Sequence, residues 1–216
     1  MKETLRVIEI FTSIQGETSY AGLPCTFVRL AGCNLHCTYC DTRYAAEEEG
    51  TAMSVEEVAR RVSQAGKRLV CITGGEPLLQ PAAATLAENL IKLRHTVLVE
   101  TNGTVDIRIL PPEAVRIMDV KCPGSGESAK ILMSNLDALQ PGDELKFVLC
   151  DRRDFDWAVS FLERHRLAGR FHLLFAPAQG ILGGRQLAEW ILDSGLQVRL
   201  QLQLHKILWP EKTRGV

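Results

Sequence analysis

The sequence predicts an α/β protein built on a largely parallel sheet of about six strands. Short β-rich runs alternate along the chain with segments of helical periodicity, which is the order that βα units produce. Glycine-containing turns follow several of the predicted strands, at Gly74-Gly75, Asn102-Gly103 and Gly124-Ser-Gly126. In parallel barrels the carboxyl ends of the strands carry the active site, so we expect polar chemistry to cluster at these turns.

The clearest single element is a helix from Ser54 to Gly66, because its apolar residues recur on one face. Ser54 and Glu57 fit a capping box at its start, and Gly66 can end it. A further strand is expected to end near Asp119. The other predicted elements, in chain order, are a strand over 69–73, a helix over 81–94, a strand over 96–100, a strand over 144–150, a helix over 154–166, a strand over 171–176, a helix over 185–194 and a last strand near 197–202.

Length and composition favour one domain that acts on a small molecule. The chain has 216 residues and 46% hydrophobic content, which is enough to bury a full core, so we predict a single domain over 1–216. A net charge of −1 provides no broad basic surface of the kind that nucleic-acid binders present. The amino-terminal residues lack the features of a secretory signal, and no apolar run approaches the roughly 20 residues that span a bilayer. We therefore expect a cytoplasmic protein that contacts neither nucleic acid nor membrane.

Three of the seven cysteines lie together in Cys33-Asn-Leu-His-Cys-Thr-Tyr-Cys40. The other four are scattered, and Cys71 and Cys150 fall in apolar strand patterns where a thiol acts as a small hydrophobe. In a reducing compartment thiols are more often ligands or buried residues than disulfide partners, so a disulfide framework is not expected.

Two kinds of metal centre can use the three clustered cysteines. A structural zinc site takes four ligands, and His36 would have to be the fourth from inside the same loop, where the geometry is cramped. The C-x3-C-x2-C spacing instead fits a [4Fe-4S] cluster in which three irons take thiolates and the fourth is open. On this motif alone, zinc and an electron-carrier cluster remain as alternatives.

With Tyr39 before its last cysteine, the loop resembles that of the radical S-adenosylmethionine (SAM) superfamily. The resemblance implies a partial, open (β/α) barrel with about six mostly parallel strands, in which SAM binds the open iron of a [4Fe-4S] cluster formed by Cys33, Cys37 and Cys40. The reduced cluster would then cleave SAM to a 5′-deoxyadenosyl radical, which makes the three cysteines part of the catalytic apparatus.

Other segments resemble the superfamily's SAM-binding motifs. Thr73-Gly-Gly-Glu-Pro77 resembles the motif for the SAM amine, because two glycines allow close backbone approach and an acidic side chain can accept hydrogen bonds from an ammonium group; alone it would be an ordinary strand-to-helix turn. Glu100-Thr-Asn-Gly103 resembles the segment that contacts the SAM ribose. The later segments Asp119-Val-Lys-Cys-Pro123 and Ala176-Pro-Ala-Gln179 fit SAM contacts and plain turns equally. The SAM contacts that the resemblance implies are Tyr39, Cys40, Asp41, Gly75, Glu76, Glu100, Asn102, Asp119, Val120, Lys121, Ala176, Pro177, Ala178 and Gln179.

The sequence resembles the 7-carboxy-7-deazaguanine synthase family over nearly its whole length, from Glu9 to Lys206. Three features carry this resemblance. They are Phe11-Thr-Ser-Ile-Gln-Gly-Glu17 followed by Phe27-Val-Arg-Leu-Ala-Gly-Cys33, then Cys40-Asp-Thr42, and finally Gln203-Leu-His-Lys206. The resemblance implies conversion of 6-carboxy-5,6,7,8-tetrahydropterin to 7-carboxy-7-deazaguanine and ammonia in queuosine or another 7-deazapurine pathway. It also implies Mg²⁺, an external one-electron reductant of the flavodoxin or ferredoxin type, and a homodimer. A glycyl-radical-enzyme activase, which acts on a partner protein, is the alternative enzyme.

The implied substrate suggests roles for individual side chains. Gln15, Glu17 and the backbone over 14–16 can match the pyrimidinone edge, and the planar fork of Arg29 can bind the carboxylate. Taken singly, these residues could equally be loop residues and an ordinary ion-pair partner. The resemblance assigns Thr42 to Mg²⁺, with Asp41 beside it; without the resemblance Thr42 would be a cap or turn residue. The implied substrate contacts are Ile14, Gln15, Gly16, Glu17, Arg29, Thr73, His205 and Val216.

Two departures from the family pattern concern the ends of the chain. The family often has Gln-Gly-Glu-Gly where this sequence has Thr18 after Glu17. The tail also runs on from Trp209 to Val216, so a substrate contact by the terminal carboxylate of Val216 depends on where this longer tail lies.

Overall fold

A computed structural model describes residues 3–216 and contains one mixed sheet of nine strands, in the spatial order β3-β1-β2-β4-β5-β6-β7-β8-β9. The strands are β1 (Thr4–Ile14), β2 (Pro24–Leu30), β3 (Thr51–Ser54), β4 (Leu69–Gly74), β5 (Thr96–Thr101), β6 (Val115–Asp119), β7 (Glu144–Leu149), β8 (His172–Pro177) and β9 (Arg199–Leu200). The helices are α1 (Arg43–Glu47), α2 (Val55–Ala65), α3 (Ala82–Lys92), α4 (Asn135–Ala138), α5 (Arg152–Arg164), α6 (Gly184–Ser194) and α7 (Leu204–Leu208).

Strand β2 and strands β4 to β9 run parallel, whereas β1 pairs antiparallel with both β2 and β3. The sheet ends at β3 and at β9, so it is open. The predicted α/β fold with a mostly parallel, open sheet is therefore confirmed. The sheet has nine strands rather than about six, because β1, β2 and β3 add to the six predicted strands, which correspond to β4 to β9. Within residues 3–216 no helix has the length and apolar character needed to cross a membrane.

The four longer helices, α2, α3, α5 and α6, cover one face of the sheet. Apolar residues of α2, α3, α5 and α6 pack there against alternate residues of the parallel strands and form the main core. The opposite face carries a small apolar cluster at the amino-terminal half of the central strands. The members of this cluster are Cys25, Phe27, Leu69, Cys71, Leu98 and Ile117. We call the face that carries this small cluster the inner face. Because successive side chains of a strand point to opposite faces, the residue two positions beyond each cluster member also lies on the inner face, nearer the carboxyl end of its strand.

Helix α2 follows the predicted bounds closely. The Ser54 hydroxyl accepts a hydrogen bond from the Glu57 amide at 3.2 Å, and Gly66 ends the helix in the left-handed conformation with φ of 69°. Only half of the predicted capping box forms, since the Glu57 carboxylate pairs with Arg60 and Arg61 instead of returning to the Ser54 amide.

Candidate active site

The inner face of the sheet forms a cavity of about 570 Å³ at the carboxyl ends of the strands. One polar side chain from each of five neighbouring parallel strands lines it, namely Arg29, Thr73, Glu100, Asp119 and Lys146. Arg29 and Thr73 are register partners, as are Asp119 and Lys146, and the Thr73 hydroxyl donates to Glu100 at 3.0 Å. The parallel register therefore sets these groups side by side, as the glycine turns predicted.

The three clustered cysteines line the same cavity from the loop after β2. All are free and half-buried, and burial raises the pKa of the Cys33 and Cys37 thiols. Within residues 3–216 no three His, Cys, Asp or Glu side chains converge on one point as ligands of a single metal ion. A four-iron cluster takes its thiolates on separate irons, so three thiols spread along one loop suit it.

The remaining cysteines do not line the cavity. Cys25, Cys71 and Cys122 are fully buried, in agreement with a packing role for Cys71. Cys150 is only partly buried because it lies just beyond the end of β7.

The two glycines after β4 are needed for close approach to the cysteine loop. A Cβ atom on Gly75 would lie 2.6 Å from the Cys33 Cβ and less than 3 Å from the Gly32 carbonyl oxygen. A Cβ on Gly74 would likewise clash with the Leu30 backbone. The glycine pair therefore brings the turn after β4 directly against the segment that carries the first cysteine.

Three buried polar atoms in this region have no hydrogen-bond partner: Gln15 Nε2, the Tyr39 hydroxyl and Asp119 Oδ1. All three residues line the cavity. Lys121 donates to Asp119 Oδ2 at 2.8 Å, which leaves only Oδ1 unpaired. Burying a polar atom without a partner costs about 1–3 kcal/mol, so their concentration here fits a site that receives a polar ligand such as SAM or the substrate.

A charge network links the amino-terminal loop to β7 and to the carboxyl-terminal segment. The Lys146 ammonium pairs with Glu17 Oε2, and Gln203 Nε2 donates to Glu17 Oε1 at 2.7 Å. Burial alone would raise the pKa of Glu17, but the Lys146 charge and the hydrogen bonds from Lys146 and Gln203 outweigh it and lower the pKa to about 2. Glu17 is therefore a carboxylate at neutral pH.

Lys146 was not predicted as a site residue, and Gln203 was named only as part of the terminal motif, without a role in the site. A signal for Lys146 was present, because Glu144 and Lys146 alternate with apolar residues in β7, and parallel strands usually have apolar residues on both faces.

Thr42 and His205 both line the cavity. Thr42 precedes α1, but its side chain makes no capping hydrogen bond, and its hydroxyl lies 3.9 Å from Cys40 Sγ. Burial lowers the pKa of His205, so its imidazole is neutral at pH 7. A Cβ on Gly16 would come within 3 Å of His205 Nδ1, which explains glycine at that position.

Most of the residues predicted from the sequence meet in this cavity. They are Ile14, Gln15, Gly16, Glu17, Arg29, Cys33, Cys37, Tyr39, Cys40, Asp41, Thr42, Thr73, Gly75, Glu100, Asn102, Asp119, Lys121, Ala176, Ala178, Gln179, His205 and Val216.

Three predicted SAM contacts, Glu76, Val120 and Pro177, do not line the cavity. The Glu76 carboxylate is fully buried and accepts hydrogen bonds from the Asn102 amide at 2.6 Å and the Thr101 hydroxyl at 2.9 Å, so it ties the turn after β4 to the end of β5. Val120 packs in the core beneath the helices, on the opposite face from Asp119. Pro177 alternates with Ala176 and Ala178, which do face the cavity.

Comparisons with known proteins place this geometry in a family. Residues 28–120 match the Radical SAM superfamily. A 7-carboxy-7-deazaguanine synthase from Koribacter versatilis is 41% identical over 98% of this chain and 100% of its own length, and one from Chlorobaculum tepidum is 44% identical over 98% and 97%. The crystal structure of QueE from Escherichia coli shares the fold, with a TM-score of 0.77 at 24% identity over 93% of this chain and 94% of that chain.

The fold and the cysteine loop define a radical SAM enzyme, which uses a [4Fe-4S] cluster and SAM. Within that superfamily the chain belongs to the 7-carboxy-7-deazaguanine synthase family, whose radical chemistry serves 7-deazapurine biosynthesis. This membership favours the enzyme interpretation over the zinc, electron-transfer and activase alternatives.

Proposed function

We propose that the protein converts 6-carboxy-5,6,7,8-tetrahydropterin to 7-carboxy-7-deazaguanine and ammonia. The observation that carries the proposal is the single cavity that joins Cys33, Cys37 and Cys40 to the ligand-binding groups Gln15, Glu17 and Arg29. Residues 1–216 would act as one radical SAM domain, since all nine strands share one sheet.

The cofactor half of the cavity lies beside the cysteine loop. Cys33, Cys37 and Cys40 would hold the cluster, and the adjoining ends of β5, β6 and β8 would hold SAM through Asn102, Asp119 and the segment 176–179. When bound, this pair supplies a carbon-centred radical that removes a hydrogen atom from the substrate ring. The unpaired Tyr39 hydroxyl and Asp119 Oδ1 offer a donor and an acceptor to SAM.

The substrate half lies against β1, β2 and α7. Gln15 offers an unpaired amide nitrogen, and Glu17 offers a carboxylate to the donors of the pyrimidinone ring. Arg29 and the neutral His205 would receive the carboxylate substituent, and Thr73 would contact the ring. These groups orient the ring for hydrogen removal and for the contraction that expels nitrogen; no strong side-chain nucleophile is required.

We propose further that Mg²⁺ binds at Thr42. The hydroxyl lines the cavity and is not used to cap α1, so it can join the substrate carboxylate as an oxygen ligand. Mg²⁺ prefers octahedral oxygen ligands and commonly keeps several waters, which suits a site with few protein ligands. The Asp41 carboxylate beside it pairs with Lys206 at 3.5 Å.

The proposal includes the partners and setting that the family resemblance implies. These are an external one-electron reductant of the flavodoxin or ferredoxin type, a homodimer, and a cytoplasmic location, with the product passing to queuosine or to another deazapurine.

The direct test is anaerobic reconstitution with iron and sulfide, followed by incubation with SAM, dithionite, Mg²⁺ and carboxytetrahydropterin. Mass spectrometry is expected to detect 7-carboxy-7-deazaguanine without any protein partner. If SAM is cleaved while the pterin is unchanged, the substrate assignment is wrong. Protein that retains zinc and forms no cluster would overturn the proposed reaction as well.

A further inference from the structure

Glu9 does not line the cavity itself, but its carboxylate accepts hydrogen bonds from three separate parts of the chain. Oε1 accepts hydrogen bonds from Arg29 Nε at 2.8 Å and from the Tyr44 hydroxyl at 2.9 Å, while Oε2 accepts from the Gly215 amide at 3.2 Å. Arg29 belongs to β2, Tyr44 to α1 and Gly215 to the carboxyl-terminal tail. Only 17% of the Glu9 side chain is exposed, so little solvent competes for these bonds.

A β-bulge gives Glu9 this position. The register of β1 and β2 shifts between Val7 and Glu9. Before the bulge Leu5 and Val7 face the helix-covered core, whereas after it Ile10 does so. The extra residue thus turns Glu9 towards the inner face, directly opposite Arg29.

Arg29 is fixed on one edge and free on the other. Its Cζ lies 5.7 Å from the centre of the Phe11 ring and 5.8 Å from that of Tyr44, and its Nε is bonded to Glu9. Among residues 3–216 no hydrogen bond uses its two η nitrogens. A planar guanidinium held in this way presents a ready two-nitrogen fork to a carboxylate in the cavity.

The last three residues of the carboxyl-terminal tail lie beside α1, Glu9 and the cavity. Arg214 pairs with Glu48, and its Cζ lies 4.1 Å from the centre of the Tyr44 ring. Gly215 bonds to Glu9, and Val216 lines the cavity. One carboxylate therefore contacts both the fork and the tail beside it.

We propose that Glu9 is a positioning residue that aims the Arg29 fork at the carboxylate of the ligand and couples this aim to docking of the carboxyl-terminal tail. The proposal rests on the proposed function, in which the ligand carries a carboxylate. Glu9 itself touches no ligand; its effect is specificity for the carboxylated ring.

The test compares two ligands that differ only in that group, 7-carboxy-7-deazaguanine and 7-deazaguanine. Their dissociation constants are measured on anaerobically reconstituted protein with SAM and Mg²⁺. Glu9→Gln keeps the shape of the side chain but removes its charge, and we expect affinity for the carboxylated ligand to fall about 10-fold or more, with less than about a 2-fold change for 7-deazaguanine. Arg29→Met is the reference for complete loss of the carboxylate preference. Glu189→Gln, which disrupts an exposed pair with Arg185, is the matched control and should change neither constant.

The outcomes separate this proposal from the function on which it rests. Wild-type protein that binds both ligands equally would overturn the proposed function, and this inference with it. Wild-type protein that prefers the carboxylated ligand, together with an unchanged preference in Glu9→Gln or an equal loss for both ligands, would overturn only the role of Glu9.

A second variant tests the coupling and does not depend on how well Glu9→Gln folds. Arg214→Met removes tail contacts without touching Arg29, and we expect an affinity loss of about 3-fold that is confined to the carboxylated ligand. Because both substitutions release the tail, the double variant should lose less than the product of the two single losses. Losses that multiply independently, or a loss shared by both ligands, would overturn the coupling.

Discussion

The cysteines of this protein differ in their position relative to one cavity. Cys33, Cys37 and Cys40 line it, whereas Cys25, Cys71 and Cys122 are buried elsewhere. We expect replacement of any of the three lining cysteines by alanine to abolish cluster formation, because each would supply the thiolate of a different iron.

Iron content and visible absorbance after anaerobic reconstitution report cluster formation and so test this prediction. Cys150→Ala is the matched control, since Cys150 is partly exposed but outside the cavity, and it should bind iron normally. Full iron content in Cys37→Ala would contradict the assignment.

The Glu17–Lys146 pair predicts how stability responds to pH. The folded-state pKa of Glu17, about 2, lies below its ordinary value of 4.5, so the pair stabilises the fold above pH 4.5 and loses this contribution as the pH falls towards 2. Lys146→Met leaves the buried Glu17 without its cation, and we expect a loss of about 3 kcal/mol near neutral pH. Burial then raises the pKa of Glu17, so this variant should become less stable as the pH rises.

Urea unfolding of cluster-free protein at about pH 5 and about pH 8 measures the difference between variant and wild type. The double variant Glu17→Gln, Lys146→Met has no buried charge at either site and should lose the pH-dependent part of the defect. A Lys146→Met defect that is equal at both pH values would show that the pair is not electrostatically coupled.

At the scale of elements, the loop between β1 and β2 shows how a departure from the family pattern is accommodated. Thr18 has a φ of 66°, in the left-handed region where glycine is unstrained. The Thr18 hydroxyl accepts a hydrogen bond from the Tyr20 amide at 3.1 Å, and Ser19 is anchored to the Glu144 carboxylate. The glycine that the family often has here would fit the same backbone without strain.

We expect Thr18→Gly to leave stability almost unchanged, because relief of about 1 kcal/mol of backbone strain offsets a lost hydrogen bond of about 1 kcal/mol. Thr18→Val keeps the strain and loses the acceptor, so it should lower the free energy of unfolding by about 1–2 kcal/mol. Urea unfolding measures both, with Thr51→Val at an exposed position of β3 as the control. Equal stability of the two variants would contradict the argument.

The elements that the sequence predicted well are those with regular periodicity. Helix α2 and strands β4 and β5 lie within one or two residues of the expected bounds, because their apolar residues repeat without interruption. Strand β1 was missed, since its bulge reverses the alternation partway along the strand. The same bulge conceals the inward orientation of Glu9, which no spacing rule reveals.

At the scale of the whole molecule, residues from both ends of the chain line the same cavity as residues from its middle. The matched superfamily span, 28–120, contains the cysteine loop and the first proposed SAM segments. Much of the proposed substrate half comes from outside it, from 14–17 and 203–216, and Glu9 and Gly215 meet although they are 206 positions apart. Long-range closure of this kind cannot be read from local patterns, because it depends on how the sheet curves and where the tail returns.

This division predicts that truncation can remove binding of the carboxylated deazaguanine while SAM binding remains. Ending the chain after Leu202 keeps Gln201, which is buried, and all nine strands, but removes Gln203, His205 and the tail. We expect the reconstituted protein to keep its cluster and to bind SAM within about 3-fold of wild type, while affinity for the carboxylated deazaguanine falls about 100-fold, because several contacts each worth about 1–2 kcal/mol are lost together.

Equilibrium dialysis against each ligand measures both affinities, and a thermal unfolding curve confirms that the sheet remains folded. Ending the chain after Leu208 instead is the matched control, because it keeps α7 and loses only the tail, so the loss for the carboxylated ligand should be intermediate. A truncation after Leu202 that loses SAM and the deazaguanine equally would contradict the division, since it would mean that the carboxyl-terminal segment supports the whole cavity. Retention of SAM with loss of the deazaguanine would show that the middle of the chain binds SAM while the two ends together recognise the ring.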